Sequence, residues 1–317
     1  MQEMATIAGG LAGLAGAGGA VAVALIRRQH PWLTAGHALT SAETIDPLPG
    51  VIRLGLSGMT VVVTPGPRGE LYLGPGAPQP GRTLRRLVLA PLFTRAGANG
   101  GRLWPDQRAP FRLVIEFGGG NRDPEALLRA YRMLDRQLQD HAGLLSSCRH
   151  EVLKPRSVTV TVTGAVDVRE LLAAEPVRYA FADGDFDDLG SRSAPPELVP
   201  MVSESWGRRF GWDGRDSITA EERHQLHALV RAAHEEGRTV RFSGLPDGAR
   251  KDRAAIWTEL GAAGVDVIAD TDLVGLARHL RRHPISDPPR APAPTRAVVR
   301  STPRPNAPRP ENRHEPV

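Results

Sequence analysis

The stretch from Ser157 to Leu280 constrains the fold most, because strand-like and helix-like segments alternate along it. Residues 157–163 alternate valine with serine or threonine, a period of two rich in β-branched side chains that suits a half-buried strand. Further strands are predicted to begin at Val177, Leu198, Thr239 and Val265. Strand, helix and strand at this spacing imply parallel strands joined by helical crossovers.

Helix signals lie between these strands. Thr219 opens one helix with Glu221 and Glu222 in its first turn, and Gly237 closes it, as expected for acidic residues at the start and glycine at the end. Three more helices are predicted over residues 124–141, 166–174 and 250–263, the first with Asp123 as its N-cap.

The part before Pro110 is irregular, but the strands predicted upstream complete a count of eight. They are residues 51–56, 59–64, 70–73 and 111–117. If only one of the stretches 59–64 and 70–73 is a barrel strand, the predicted strands number eight, as in a (β/α)8 barrel. A body of about 255 residues also fits that fold. The sequence therefore predicts an α/β fold of the TIM-barrel type, with its active site at the C-terminal ends of the strands.

Charge is unevenly distributed along the 317 residues, whose formal net charge is +5. Residues 284–317 carry +3 and the first 28 residues carry +1, which leaves +1 for the body. A nearly neutral body has no electrostatic footprint for nucleic acid, so nucleic acid is not an expected partner. Cys148 is the only cysteine, so neither an internal disulfide nor a cysteine-rich metal site is available.

Residues 4–26 contain no charged residue and are long enough to cross about 30 Å of hydrocarbon as a helix. The segment is mostly alanine and glycine, so its insertion energy is marginal. We expect a membrane anchor; a signal-like segment of a secreted protein and a soluble arm of a cytoplasmic one are the alternatives. Arg27 and Arg28 on the C-terminal flank favour a cytoplasmic body.

The end of the chain differs in composition from the rest. Residues 284–317 are rich in proline, arginine and alanine and hold few large apolar residues, so we predict that they are disordered. The predicted organisation is an apolar segment over 1–28, a barrel over 29–283 and a tail over 284–317.

Five phrases in the expected order resemble the phospholipase-C-like phosphodiesterase superfamily. The closest branch is that of glycerophosphodiester phosphodiesterases and the fungal altered inheritance of mitochondria protein. The phrases lie at residues 82–92, 178–191, 199–214, 237–247 and 263–273. The resemblance implies a barrel that hydrolyses phosphodiesters with acid/base histidines, and carboxylates that hold a divalent cation.

The catalytic motifs of that superfamily are largely replaced. Active relatives open with a His-Ala-His-Asn-Asp phrase, whereas residues 37–41 read His-Ala-Leu-Thr-Ser. Val-Val-Val-Thr-Pro at 61–65 and Leu-Gly-Pro-Gly at 73–76 replace a Glu-Ala-Asp phrase and a His-Asp pair. Glu116 keeps the acid of an Asp-x-Lys phrase without its lysine. The resemblance therefore leaves His37 and Glu116 as the candidate catalytic residues.

Phosphodiester cleavage needs a base, an acid and positive charge on the phosphoryl oxygens. With one histidine and one glutamate left, no metal ligand set and no cofactor are predicted; Mg²⁺ or Ca²⁺ is expected only if the site hydrolyses phosphodiesters. The alternatives are an exposed or structural loop position for His37, and a capping or ion-pair role for Glu116. Asp183 and Trp206, near the ends of two strands, are candidate substrate-binding residues.

Other polar clusters are interpreted as structural. The aspartates between 183 and 188 lack the closing glutamate of a calcium loop. The histidines at 224, 227 and 234 share a helix face with Arg231, which is typical of a solvated surface. Glycines 118–120 are interpreted as a linker rather than a phosphate loop, and Asp270 and Asp272 as caps of the last helix.

Three functions remain open on the sequence. The first is a catalytically impaired barrel, tethered at a membrane, that binds a phosphodiester, a phospholipid head-group or a partner. The second is a working phosphodiester hydrolase that uses His37 and Glu116 in an altered arrangement. The third is a membrane-tethered scaffold whose tail recruits partners. The sequence predicts no oligomeric state.

Overall fold

The structure is a computed structural model that describes residues 31–40, 44, 46–118, 124–164 and 168–285. Residues 4–26, the predicted N-cap Asp123, and the predicted tail from residue 286 onward lie outside this part of the chain. Their predicted roles therefore stay predictions.

The described residues form twelve strands. In chain order they are β1 Leu33–Leu39, β2 Leu56–Pro65, β3 Leu71–Leu73, β4 Phe111–Phe117, β5 Ser147–Arg149, β6 Val152–Lys154, β7 Val158–Gly164, β8 Val177–Arg178, β9 Ala180–Gly184, β10 Met201–Ser205, β11 Thr239–Ser243 and β12 Val267–Asp270.

Helices follow most of the long strands. They are α1 Leu48–Leu54, α2 Ala90–Ala98, α3 Pro124–Gln139, α4 Arg169–Ala174, α5 Trp206–Arg209, α6 Ala220–Glu235, α7 Arg250–Ala262 and α8 Leu273–Arg282. Shorter turns complete the set, with 3-10 helices at Pro67–Gly69 and Phe186–Asp188 and a π-helix at Arg85–Leu89.

Eight parallel strands close into a barrel, as the sequence predicts. Their order is β1, β2, β4, β7, β9, β10, β11 and β12, and β12 pairs with β1 to close the ring. Strand β3 pairs antiparallel with the end of β2 outside the ring. Strands β6, β5 and β8 form a separate three-stranded sheet. The fold is therefore a (β/α)8 barrel with two small additions.

Alternation along the strands divides the side chains between two layers. On β7, Val158, Val160 and Val162 belong to the apolar core that packs against the helices. The intervening threonines point to the barrel interior, where Thr163 hydrogen-bonds Asp183. The period of two in residues 157–163 thus separates an apolar layer from a polar one.

Two helix boundaries follow the local signals in the sequence. Thr219 accepts a hydrogen bond from the backbone N–H of Glu222 and caps α6, and Gly237 beyond its end has a φ of 73°. Asp272 caps α8 by accepting from Gly275 N–H, as predicted. Asp270 Oδ1 accepts from the backbone N–H of Asp272, the N-cap residue itself, at 2.9 Å, and the same carboxylate also accepts from Arg253 and Trp257.

Several predicted strand positions are wrong. Residues 51–54 belong to α1, because Leu48 and Val51 are buried three residues apart on one helix face. The first barrel strand is β1, which the sequence analysis did not predict. The stretch at 70–73 is the outer strand β3. The barrel strands predicted to start at 177, 198 and 265 start two or three residues later, and Val177 belongs to the small sheet.

Candidate functional site

The interior of the barrel is polar near the C-terminal ends of its strands. Glu116, Thr163, Asp183 and Ser203 lie on β4, β7, β9 and β10, and each of them is half-buried at the mouth of the barrel. His37 on β1, Thr60 on β2 and Arg241 on β11 are buried, and Arg241 is the register partner of Ser203. We call these seven residues the mouth cluster.

His37 is a strand residue with no exposed surface, which corrects the prediction of a loop position. Its Nε2 lies 2.8 Å from Thr60 Oγ1, and its Nδ1 has no hydrogen-bond partner within the described residues. Burial first, and then the charges of Arg241 and Arg112, hold the pKa of His37 well below its usual value of 6.5. The imidazole is therefore neutral at physiological pH.

Gly58 makes room for this imidazole. The two residues are paired between β1 and β2, and a Cβ atom at Gly58 would lie 2.4 Å from His37 Nδ1 and 2.6 Å from the Arg112 carbonyl oxygen. Real Cβ atoms do not approach other atoms so closely. A side chain at position 58 would therefore displace the histidine or the backbone of β4.

Arg241 links the two halves of the mouth cluster. Its Nη2 donates to Thr60 Oγ1 at 3.2 Å, so Thr60 contacts both Arg241 and His37. Its Nε is buried and has no hydrogen-bond partner in the described part of the chain. Burial lowers the pKa of Arg241, while the charges of Asp183 and then Glu116 act in the opposite direction. The guanidinium is thus the cation that balances two carboxylates.

Asp183 is the most strongly bonded acid of the cluster. Ser203 donates to its Oδ1 at 2.7 Å, and Thr163 also donates to it. Burial raises the pKa of Asp183, although Arg241 and these two hydroxyls oppose the shift. Asp183 therefore lies where a ligand at the mouth would meet it, which agrees with the predicted position but leaves its predicted substrate-binding role untested.

Glu116 shares the mouth with Asp183 but not a bond with His37. It is paired with Val62 on one side and Thr163 on the other, and its charge acts on Arg241. No hydrogen bond joins Glu116 to His37 within the described residues. The two predicted catalytic residues are thus brought into one cluster, with Arg241 between them, and their catalytic role stays a prediction.

Trp206 lies away from the mouth. Its ring is fully buried and packs against Phe210, Trp212 and Phe242 in the layer between strands and helices. Its Nε1 donates to the Trp212 carbonyl oxygen at 2.7 Å. The buried and satisfied indole indicates a packing role, so the predicted substrate-binding role of Trp206 gains no support from the geometry.

The aspartates after Asp183 have structural partners. Asp185 caps the 3-10 turn by accepting from Asp187 N–H at 2.9 Å. The carboxylate of Asp188 accepts a hydrogen bond from each of the two terminal nitrogens of Arg169, both at 2.6 Å. Within the described residues, no group of three or more His, Cys, Asp or Glu side chains has the geometry of a metal site.

The histidine face of α6 is only partly solvated. His224 is exposed, but His234 is half-buried and its Nε2 lies 2.8 Å from Asp266 Oδ2. This hydrogen bond raises the pKa of His234. Of glycines 118–120, the structure describes only the first, so the interpretation of that run as a linker lies outside the described residues.

The sequence analysis missed Arg241, Thr60 and Ser203. A signal for Arg241 exists, because it is a charged residue within the apolar strand Thr-Val-Arg-Phe and alternates with Val240 and Phe242. Thr60 and Ser203 carry no such signal, since isolated hydroxyl residues are common in strands of any kind. Only the closed ring brings the three together.

A cleft of about 510 Å³ lies outside the barrel. Its lining includes Arg68, Glu70, Arg85, Arg136 and Gln137. Arg85 is paired there with Asp140 at 2.7 Å and with Glu70 at 3.6 Å. The cleft shares no residue with the mouth cluster.

No family model and no curated protein matches the chain. Among solved structures, it is similar to a glycerophosphoryl diester phosphodiesterase from Parabacteroides distasonis, at 13% identity over 83% of this chain and 93% of that one, with a TM-score of 0.45. It is also similar to a family 5 xyloglucanase from Paenibacillus pabuli, at 10% identity over 82% of this chain and 99% of that one, with a TM-score of 0.41. A malate synthase from Haloferax volcanii is 12% identical over 79% of this chain and 69% of that one, with a TM-score of 0.31.

These likenesses transfer no residue role to this chain, because every identity and TM-score is low. The barrel itself is established by the strand pairing described above. Within the described residues, no helix combines the length and the apolarity that a membrane span requires.

Proposed function

We propose that the protein is a catalytically impaired barrel, related to the phosphodiesterases that its sequence resembles, which binds a phosphorylated ligand at the mouth of the barrel without hydrolysing it. The observation that carries this proposal is the buried guanidinium of Arg241, which lies beside its register partner Ser203 and interacts with the charge of the half-buried Asp183. Its unpartnered Nε is a donor suited to a phosphoryl oxygen.

The state of His37 supports binding over hydrolysis. A general base is most effective when its pKa lies near the operating pH. The pKa of His37 lies well below its usual value, because the imidazole is buried and faces the charges of Arg241 and Arg112. A protonated imidazole in this position would meet cations on two sides.

The acids support the same proposal. Asp183 is held by two hydroxyl donors and by the charge of Arg241, and Glu116 acts on the same guanidinium. A divalent cation beside them would be repelled by Arg241, which already supplies the positive charge. Both carboxylates thus interact with Arg241 already, and the unpartnered Nε of Arg241 is the donor that is left for an anionic ligand.

Calorimetric titration of the full-length protein with glycerol 3-phosphate tests the binding. We expect saturable binding that weakens about tenfold or more in Arg241→Met, because a charge-assisted hydrogen bond is lost. Ser203→Ala, at the half-buried mouth, is a second variant should Arg241→Met fold poorly. The matched control is Arg231→Met, which removes an exposed arginine from α6. Equal affinity in wild type, Arg241→Met and Ser203→Ala would refute the proposal.

A working hydrolase is the second candidate, because His37 lies in the barrel interior and not in solvent. Its test is hydrolysis of bis(p-nitrophenyl) phosphate and glycerophosphodiesters with Mg²⁺, Ca²⁺ or EDTA, beside His37→Ala and Glu116→Gln. Turnover that both variants abolish would establish this candidate. If the wild-type protein binds glycerol 3-phosphate but hydrolyses these substrates no faster than the two variants do, the result would support a barrel that binds its ligand without hydrolysing it.

A further inference from the structure

Strands β5 and β6 form a tight hairpin that projects from the barrel. His150 and Glu151 join them with φ values of 47° and 61°. Two successive residues with positive φ form the two-residue turn whose twist matches that of the flanking strands. Residues 149–156, which we call the hairpin tip, are all exposed.

The hairpin tip shows aliphatic side chains to solvent. Val152 is 66% exposed and Leu153 is 39% exposed. Within the described residues, the only other exposed large hydrophobic side chain is that of Val274, at the start of α8. Val152 and Leu153 lie on opposite faces of the short edge strand β6, and the described residues leave both exposed, so the tip is suited to an apolar partner.

Basic residues surround these side chains. Arg149, Lys154 and Arg156 lie beside them, and Glu151 is the one acidic residue of the tip. None of the three basic side chains forms a salt bridge in the described part of the chain. The tip therefore carries +2 within eight residues, whereas residues 29–283 as a whole carry only about +1. Exposed aliphatics ringed by unpaired cations match the interface of an anionic bilayer, where apolar groups enter and cations meet lipid phosphates.

The tip lies at the N-terminal end of the barrel. Strands β5 and β6 precede β7, and the backbone of Ser146 donates to Val158, the first residue of β7. Helix α8 ends there too, since Arg281 donates to the carbonyl oxygen of Leu54, two residues before β2. The described chain enters β1 at this end. The described part of the chain therefore begins and ends near the end that bears the tip.

We propose that the hairpin tip docks the N-terminal end of the barrel on an anionic membrane surface, with the side chains of Val152 and Leu153 in the interface. The mouth cluster lies at the opposite end. A docked barrel therefore turns its mouth toward the aqueous phase, and takes ligands from solution and not from the bilayer.

A fluorescent label at the tip tests the docking. The full-length chain carries Cys148→Ser, which removes its buried native thiol, and Val152→Cys labelled with the environment-sensitive dye NBD. The matched control carries the label at Val274→Cys, the exposed aliphatic position on α8. With vesicles of phosphatidylcholine and phosphatidylserine, we expect a blue shift and a gain in emission at position 152 only. Pure phosphatidylcholine vesicles are expected to give a much smaller change.

A charge-reversal variant needs no cysteine background. Arg149→Glu with Lys154→Glu is expected to weaken vesicle partitioning by at least about 25-fold, since each basic residue contributes about fivefold near an anionic surface. Binding should also fall as salt is raised.

Three outcomes would overturn the proposal. A label at position 152 that stays in water while the protein sediments with vesicles would assign binding to a part of the chain other than the tip. Equal changes at positions 152 and 274 would indicate adsorption without orientation. A concentration-dependent change at position 152 without vesicles would make the tip an interface between copies of this chain.

Discussion

The barrel interior and the layer between strands and helices are built from the same strands but from opposite residue types. On β11, Val240 and Phe242 enter the apolar layer, while Arg241 between them enters the interior. The outer layer is held by packing, whose loss leaves cavities. The interior at the mouth is held by a balance of charges, whose loss leaves uncompensated ions. The two regions should therefore respond to substitution and to pH in different ways.

The largest expected effect is in the outer layer. Trp206→Ala removes a fully buried ring and should lower the free energy of unfolding by about 3–5 kcal/mol. Denaturant unfolding measures this loss, and Trp212→Ala, which removes a half-buried ring from the same cluster, should cost less. If Trp206→Ala left stability unchanged and weakened ligand binding instead, the predicted substrate-binding role would be restored.

The charge balance of the interior should give the next effect. Arg241→Met leaves Asp183 and Glu116 without their cation and should cost about 3 kcal/mol. The double variant with Asp183→Asn should recover about 1 kcal/mol or more of that loss, because the uncompensated carboxylate is then removed. Strictly additive unfolding free energies for the two substitutions would contradict the balance.

His37 should make the protein less stable in acid. Its pKa is lowered in the folded state, so below about pH 6.5 the histidine binds a proton in the unfolded chain but not in the folded one. The free energy of unfolding therefore falls as the pH is lowered. His37→Asn cannot titrate. The stability advantage of wild type over this variant should therefore shrink by about 1 kcal/mol between about pH 7.5 and pH 5.5. An unchanged difference over that range would place His37 in contact with solvent.

His234 in the outer layer should give the smallest effect, with the opposite sign. Its pKa is raised by Asp266, so its stabilisation is fully present below its unfolded pKa and is lost as pH rises through its folded pKa. His234→Gln should cost about 0.5–1 kcal/mol near pH 6 and less near pH 8, since the pair is partly exposed. Asp266→Asn, which removes the hydrogen-bond partner of His234, should abolish this trend; a trend that persists in that variant would make the effect a general one of surface charge.

More of the fold than of the candidate site could be predicted from the sequence. Residues 157–163 indicate both a strand and its two faces, because alternation is a local property. Strand β1 escaped prediction because its alanines and Gly36 are poor strand formers, and burial within the ring overrides that preference. Val51 was assigned to a strand because its branched side chain favours one, whereas its spacing from Leu48 on a buried helix face decides its structure.

The mouth cluster was only partly predictable, for a different reason. His37 is a candidate through the family resemblance, and Glu116 and Asp183 are candidates as acids near strand ends, but what each one does depends on a neighbour distant in sequence. Arg241 on β11 reaches Thr60 on β2 inside the barrel, although the two residues lie 181 positions apart in the sequence, and no local pattern encodes that contact. The pKa of His37 is lowered first by burial within the closed ring and then by the charges of Arg241 and Arg112, so its protonation state could not be predicted before the ring was known.

The pairing of β1 with β12 also constrains how the protein is made. These strands lie at opposite ends of the described chain, so during synthesis the ring stays open until the last strand has left the ribosome. Until then β1 and β11 each have an unpaired edge, and the loop between the partners must be closed at a large entropic cost. Early contacts among neighbouring strands can form, but the interior that holds His37 is sealed only by the final pairing. Nascent chains truncated before β12 are therefore natural clients for chaperones that shield open sheet edges.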